Sequence, residues 1–252
     1  MQFDKYIRNN LQKQLQHNLQ RRFSRRQMLQ FTGLSGLGLA LGSCGTSLYV
    51  DKVRPIFEPL NQSIEELILK PQTPVPEFPA SAIEPEALLV NSFDFTPIIN
   101  PNTFKLVIDG AVDNPLQLSM SDMRSLPLTS MVIRHVCVEG WAAIVQWGGV
   151  RLLDLAKLVQ PQAGARYVYF ESADGYYESW DIASSLHPQT LLAYQKNGET
   201  IPVENGAPLR LASPIKLGYK QSKWVIRVTF AKELSQRRGY WVDEGYEWFA
   251  GL

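Results

Sequence analysis

The sequence predicts an α+β fold, a mixed, strand-rich single domain, and three observations carry that expectation. Short apolar runs bounded by turn residues outnumber stretches with helical spacing. Asn197-Gly198 stands between two such runs, a hairpin signal, because both residues accept the positive φ of a two-residue turn. Strand and helix patterns do not alternate, and neither a GxGxxG nor a Walker loop occurs, which excludes a doubly wound nucleotide-binding sheet. With 252 residues, 45% of them hydrophobic, and six tryptophans, the chain can bury one large core or two small ones.

Residues 1–44 read as an address. Residues 1–43 carry seven Lys/Arg and one acid, and Arg21-Arg22-Phe23-Ser24-Arg25-Arg26 precedes an uncharged, glycine-spaced apolar run ending at Leu41. That run fits the usual signal-peptide core of roughly 7–15 residues and falls short of the ~20 that span a bilayer. Ser24-Arg25-Arg26 resembles the twin-arginine export signal, a class associated with proteins exported folded around a cofactor, so a periplasmic or other extracytoplasmic destination is expected. An amphipathic surface helix with two chance arginine pairs is the plain alternative. Leu41-Gly42-Ser43-Cys44 resembles a lipoprotein cleavage box. It offers a lipid anchor at Cys44, against simple cleavage nearby.

Residues 45–86 hold Pro55, Pro59, Pro71, Pro74, Pro76, Pro79 and Pro85 around one short helical pattern, Ser63 to Leu69. Proline this dense removes donors and fixes φ, so an extended arm is expected, with the main domain spanning 87–252. There Ala87 to Val90 leads into a polar-aromatic turn, Asn91 to Phe95. Phe104 to Gly110 is a strand, Asp113-Asn114-Pro115 a turn, and Ser119 to Leu126 a short helix capped by Ser119 and stopped by Pro127. Met131 to Val138 is expected as the central strand, and Leu152 to Val159 as a helix ended by Pro161. Further strands are expected at Arg166 to Phe170, at Tyr176 to Ile182, after the turn at Asn205-Gly206, and at Trp224 to Phe230.

Net charge is +1, yet removing the basic leader leaves 18 basic and 23 acidic residues, a net of −5. An acidic body argues against nucleic acid as a partner. The histidines are His17, His135 and His187 and the cysteines Cys44 and Cys137, so no zinc or iron-sulfur ligand cluster can be assembled. A transition metal would take most of its ligands from something other than protein.

Arg134-His135-Val136-Cys137-Val138-Glu139-Gly140-Trp141 ends an alternating apolar run on the one cysteine outside the leader. A lone cysteine is most often a small core residue. A strand that stops at Cys-Val-Glu-Gly-Trp, however, delivers a thiol to a turn, where chemistry can reach it.

Together with Trp147-Gly-Gly-Val-Arg-Leu152, Asn205-Gly-Ala-Pro-Leu-Arg210-Leu, Pro214-Ile-Lys-Leu-Gly-Tyr-Lys220 and Lys223-Trp224, that octapeptide resembles the oxidoreductase molybdopterin-binding domain of the sulfite oxidase superfamily. The nearest branch is the bacterial protein-methionine-sulfoxide reductase catalytic subunit, and the resemblance covers roughly Ala87 to Val228. It implies a sulfite-oxidase-type fold and a molybdenum-molybdopterin (Mo-MPT) cofactor whose metal is bound by Cys137. The other cofactor contacts it implies are Asn91, Phe93, Asp94, Ser172, Asn205, Arg210, Gln221, Ser222 and Lys223. One soft protein ligand suffices where a dithiolene brings two sulfurs, and Arg210 and Lys223 are suitable phosphate donors. Taken singly, Arg210 could equally be an edge ion pair, Asn205 a turn former and Lys223 a solvated amine.

The activity so implied is oxygen-atom transfer, reduction of S-oxides such as methionine sulfoxide in proteins, with electrons from a membrane haem partner. Two alternatives stand. One is sulfite oxidation, with Arg134, Arg151 and Arg210 holding the dianion, although Cys-Val-Glu-Gly replaces the Cys-Ala-Gly-Asn typical of sulfite oxidases. The other is a non-catalytic envelope lipoprotein that kept the fold as a binding module. The aromatic, acidic tail from Gly239 to Phe249 either lines the site or caps the core.

Overall fold

The computed structural model describes residues 73–252 together with Ile64 and Leu67, all within one compact unit, Pro59–Leu252. The export signal, Cys44 and most of the proline-rich arm lie outside the described residues; Ile64 and Leu67 are helical and exposed. In chain order the elements are β1 (Lys105–Gly110), β2 (Leu116–Ser119), α1 (Met120–Ser125), β3 (Thr129–Val136), β4 (Ala142–Arg151), α2 (Leu152–Val159) and β5 (Tyr167–Ser172). Then follow β6 (Tyr177–Asp181), α3 (Ile182–Ser185), β7 (Leu191–Lys196), β8 (Glu199–Thr200), β9 (Arg210–Ala212), β10 (Val225–Ala231) and α4 (Tyr240–Asp243).

The strands form two sheets. One has the order β2-β1-β10-β5-β6, with β1 and β10 parallel and the other pairs antiparallel. The second has the order β3-β4-β7-β8, with β9 also paired to β7. The larger core lies over the first sheet, where Leu106, Ile108, Val168, Phe170, Val228 and Phe230 meet α1 and α2. A second core, including Met131, Ile133, Val145 and Trp147, backs the second sheet.

Local chemistry fixes the short elements. Ser119 caps α1 reciprocally: its hydroxyl accepts from Asp122 N (3.2 Å) and the Asp122 carboxylate accepts from Ser119 N (2.8 Å). In α2, Leu152, Leu155, Ala156 and Val159 are buried at one-face spacing. Asn197 (φ 53) and Gly198 (φ 84) make the β7–β8 turn.

The strand expected to be central, β3, is at a sheet edge. Its Met131-Val132-Ile133 run is nevertheless buried, Met131 and Ile133 in the second core and Val132 where the arm bonds its open side. Phe78 N donates to Val132 O (2.9 Å), and Val132 N donates to the Glu77 carboxylate (3.3 Å). Glu84 does the same for β4, its N–H donating to Ile144 O (2.9 Å) and its carboxylate accepting from Ile144 N (2.9 Å). An edge sealed on its open side reads in sequence like an interior strand.

Candidate active site

β3 ends at Val136, and Cys137 opens a tight turn. Gly140 N donates to Cys137 O (3.1 Å), and Cys137 N donates to Trp141 O (2.9 Å). Gly140 supplies the φ of +89 that closes it. The turn places Glu139 over the thiol. One carboxylate oxygen of Glu139 accepts from Trp141 Nε1 (2.9 Å) and Asn91 Nδ2 (3.1 Å) and lies 3.6 Å from Cys137 Sγ. The Trp141 and Asn91 hydrogen bonds hold the Glu139 carboxyl below its usual range. Burial pushes the Cys137 thiol up, and the Glu139 charge adds to the shift. On the far side Gly218 packs so close that a Cβ there would come within 2.9 Å of His135 Nε2 and 3.3 Å of Val136 O.

Two cations border the same cavity as the thiol. Arg210, at the start of β9, is buried and stacks over Trp147 (4.5 Å from the ring centroid). Its donors reach only carbonyls, those of Leu211 (3.2 Å), Asn205 (3.1 Å) and Gln221 (3.4 Å). Among the described residues no carboxylate pairs with it. Burial draws its pKa down to about 9, which leaves the guanidinium charged at neutrality. Lys223 stands beside it, its ammonium bonded to the Asn91 and Glu204 carbonyls, with its pKa lowered to about 8 by burial and by Arg210. Gly206 (φ 113) lets the two stems converge, since a Cβ there would lie 3.0 Å from the Cβ of each. A buried and a half-buried cation, with carbonyls and tryptophan rings as partners and, among the described residues, no carboxylate, make a site that wants an anion.

The cavity that these residues share has a volume of about 310 Å³. Of the residues expected at a cofactor, Asn91, Phe93, Cys137, Asn205, Arg210, Gln221, Ser222 and Lys223 line it. Asp94 is exposed and outside the lining. Ser172 is buried behind the wall, at the end of β5, with its hydroxyl unpartnered. Its backbone bonds Tyr176 O (2.9 Å) and Gly175 N (3.1 Å), closing the turn that brings Asp174 and Tyr176 to the lining. Among the described residues Ser222 Oγ and His135 Nδ1, both on lining residues, likewise have no hydrogen-bond partner.

Sequence reasoning gave His135, Trp141, Asp174 and Tyr176 no place in the site. His135 had a signal: two residues before Cys137 on a strand means the same face. Burial and the Arg210 charge hold its pKa at about 3, so the ring is neutral. The tail does both things expected of it. Tyr240, Trp241 and Tyr246 line the cavity, while Val242, Trp248 and Phe249 pack into a small core.

Comparison with known proteins agrees with this arrangement. The family described as "Oxidoreductase molybdopterin binding domain" matches residues 94–241. A protein of Azospira oryzae with the provisional name protein-methionine-sulfoxide reductase subunit YedZ1 is 34% identical over 238 residues, 90% of this chain and 88% of its own. The protein-methionine-sulfoxide reductase catalytic subunits MsrP of Ralstonia nicotianae and Campylobacter jejuni are each 32% identical, over 52% and 53% of this chain. The chain spans about half the length of these two, 45% and 51%. The crystal structure of the sulfane dehydrogenase SoxCD from Paracoccus pantotrophus shares the fold, with a TM-score of 0.53 at 22% identity over 56% of this chain and 42% of that one. A thiol at a strand end, an anion-seeking pair bordering the same cavity and these matches agree: the chain belongs to the oxidoreductase molybdopterin-binding domain family of the sulfite oxidase superfamily.

Proposed function

We propose that the protein is a molybdenum-molybdopterin oxidoreductase that reduces S-oxides, with methionine sulfoxide in proteins as substrate. One observation carries the reading: a single soft ligand, Cys137, faces a cavity that the buried Arg210 and the half-buried Lys223 also line. The residues fit the family's cofactor. The thiol suits a metal that brings its remaining donors with it, Arg210 and Lys223 suit a phosphate, and the unpartnered Ser222 Oγ and His135 Nδ1 are free to bond the organic ring system. Bound there, the cofactor supplies two-electron oxygen-atom transfer, in which a sulfoxide, two electrons and two protons give a sulfide and water.

The chain's own residues select the direction. Sulfite oxidation requires arginines converging on a dianion. Arg134 is exposed and lies over Phe78 of the arm, and Arg151 is paired with Asp154 (2.7 Å), so of the three arginines only Arg210 borders the cavity. The cavity wall carries Glu139, beside the thiol, and the rings of Trp141, Tyr219, Tyr240 and Trp241 instead. Such walls take a neutral side chain such as methionine sulfoxide and repel sulfite.

Cys137→Ser separates this reading from a cofactor-free binding module. Expressed in cells that make the cofactor, wild type is expected to carry about one molybdenum per chain, and the variant to fold normally with less than a tenth of that. Reduced-dye turnover is expected on methionine sulfoxide and not on sulfite. Wild-type protein devoid of molybdenum, or preferring sulfite, would overturn the reading. We further propose export by the twin-arginine route on the strength of Ser24-Arg25-Arg26, with anchoring at Cys44 and electrons from a membrane haem partner. Replacing both arginines by lysine and locating the product by fractionation tests the route.

A further inference from the structure

The mouth of the cavity is apolar where an ordinary surface would be polar. Leu89, Phe93, Val138, Trp241 and Tyr246 all line it, and each keeps between 39% and 55% of its surface open. The rings brace one another, Phe93 edge-on to Tyr240 at 4.4 Å and Trp241 against Tyr246 at 5.2 Å. A preformed, exposed aromatic collar around a reaction cavity marks a contact surface.

Carboxylates are threaded through that collar. Asp94 follows Phe93, Glu139 follows Val138, and Glu244 and Glu247 flank Tyr246; all four are exposed. Asp243, on the same turn, is held by the Tyr177 hydroxyl (2.8 Å) and Arg238 N (3.2 Å). The nearby cations do not cancel this charge at the mouth. Arg210 is buried, the Lys223 ammonium is turned toward two carbonyls, and Arg237 lies flat on Tyr177, 3.9 Å from the ring centroid; Lys216 and Lys220, whose charges reach Glu247, are buried and each already paired, with Asp181 and Glu178. Once Arg210 and Lys223 face a phosphate, the outer ring is left with an excess of negative charge.

We propose that this collar docks polypeptide segments in which methionine sulfoxide is flanked by lysine or arginine, favouring them over acidic segments. The proposal rests on the sulfoxide-reduction reading and narrows its substrate. Flat rings receive the methylene stems and, by cation–π contact, the charged heads, while Glu244 and Glu247 attract them over longer range. An extended chain also uses the full width of the collar, which a small free sulfoxide cannot.

Two peptides decide it, identical except for Lys-Met(O)-Lys or Glu-Met(O)-Glu at the centre, offered to the molybdenum-loaded protein with a reduced dye. The lysine peptide is expected to have a kcat/KM about five- to tenfold higher at ~20 mM salt, falling toward parity at ~0.5 M as screening removes the attraction. In Glu244→Lys combined with Glu247→Gln, the ratio is expected to approach one already at low salt. The amide introduced by Glu247→Gln keeps an acceptor oxygen for Phe249 N, which the native carboxylate bonds at 2.9 Å. Equal rates in wild type at low salt, or a ratio the double variant does not move, overturn the proposal. Tryptophan-fluorescence titration with the unoxidised peptides reads the collar without turnover. Charge-selective binding with no sulfoxide reduction would sink the catalytic reading and leave the docking preference standing.

Discussion

At Lys223, burial beside Arg210 makes pH a direct probe of the anion site. The ordinary lysine value is 10.5 and the folded value about 8, so between these pH values the unfolded chain holds a proton that the folded, cofactor-free protein has released. Stability of that free protein therefore rises with pH across the window, and the penalty for the half-buried ammonium is fully present below about 8. Anion binding runs the opposite way. A phosphate needs the ammonium, so above pH 8 its binding must take up a proton, and affinity falls by up to about tenfold per pH unit. Cofactor retained after dialysis is expected to drop between pH 7.5 and 9, and Lys223→Met to retain little at any pH, with no slope. Lys216, also lowered to about 8 by burial, changes stability in the same window, but its ammonium bonds Asp181 (3.3 Å) and Phe249 O, away from the cavity lining. A slope surviving in Lys223→Met would assign the effect elsewhere. At this scale the sequence was informative about Cys137, Asn205, Arg210 and Lys223, whose motifs are local. It was silent on the place of Asp174 and Tyr176: Asp174-Gly175 announces the turn that carries them, but not the cavity it faces.

At the scale of elements, the junction between the end of β3 and the turn at Gly218–Lys220 sets the width of the thiol end. Gly218→Ala would put a methyl 2.9 Å from His135 Nε2, 3.3 Å from Val136 O and 3.6 Å from Cys137 Cα. Two of these neighbours are backbone, so the turn has to move away from the thiol. The expected cost is about 1–3 kcal/mol in urea unfolding, with molybdenum content falling by more than that stability loss explains. A variant with wild-type molybdenum content would show that the close approach is packing alone. Most elements were legible because their rules are short-range: the reciprocal cap at Ser119, the one-face spacing in Leu152–Val159, the paired positive φ at Asn197-Gly198. The position of β3 was not, since sheet order depends on partners distant in sequence, and burial by the arm imitated burial by a neighbouring strand. The tail was legible as aromatic but not as divided. Whether Trp241 or Trp248 faces the cavity depends on Gly239, whose missing Cβ lets the chain settle on the buried Glu178 carboxylate.

For the molecule as a whole, the arm closes open backbone on the second sheet, at the outer side of β3 through Glu77 and Phe78 and at the far side of β4 through Glu84. Residues 77–84 make four hydrogen bonds to Val132 and Ile144, and Gln189 holds Val75 through both its backbone groups (2.7 and 2.9 Å). Glutamate carboxylates accept the two strand N–H groups, so the cover satisfies the edge without offering a ladder of its own for another chain to extend. A chain beginning at Ala87 loses all of this at once. Four bonds at about 0.5–1.5 kcal/mol net, together with the Phe78 ring over Arg134, predict a loss of roughly 2–6 kcal/mol, read as a lower urea midpoint. The bared edge also predicts self-association, seen as a dimer by light scattering at concentrations where the longer chain is monomeric. Because β3 carries Cys137 at its end, molybdenum content is expected to fall even in the fraction that stays monomeric and folded. If the shortened chain keeps its midpoint, its monomeric state and its metal, the arm is only a spacer, and the thiol's position comes from the two sheets alone.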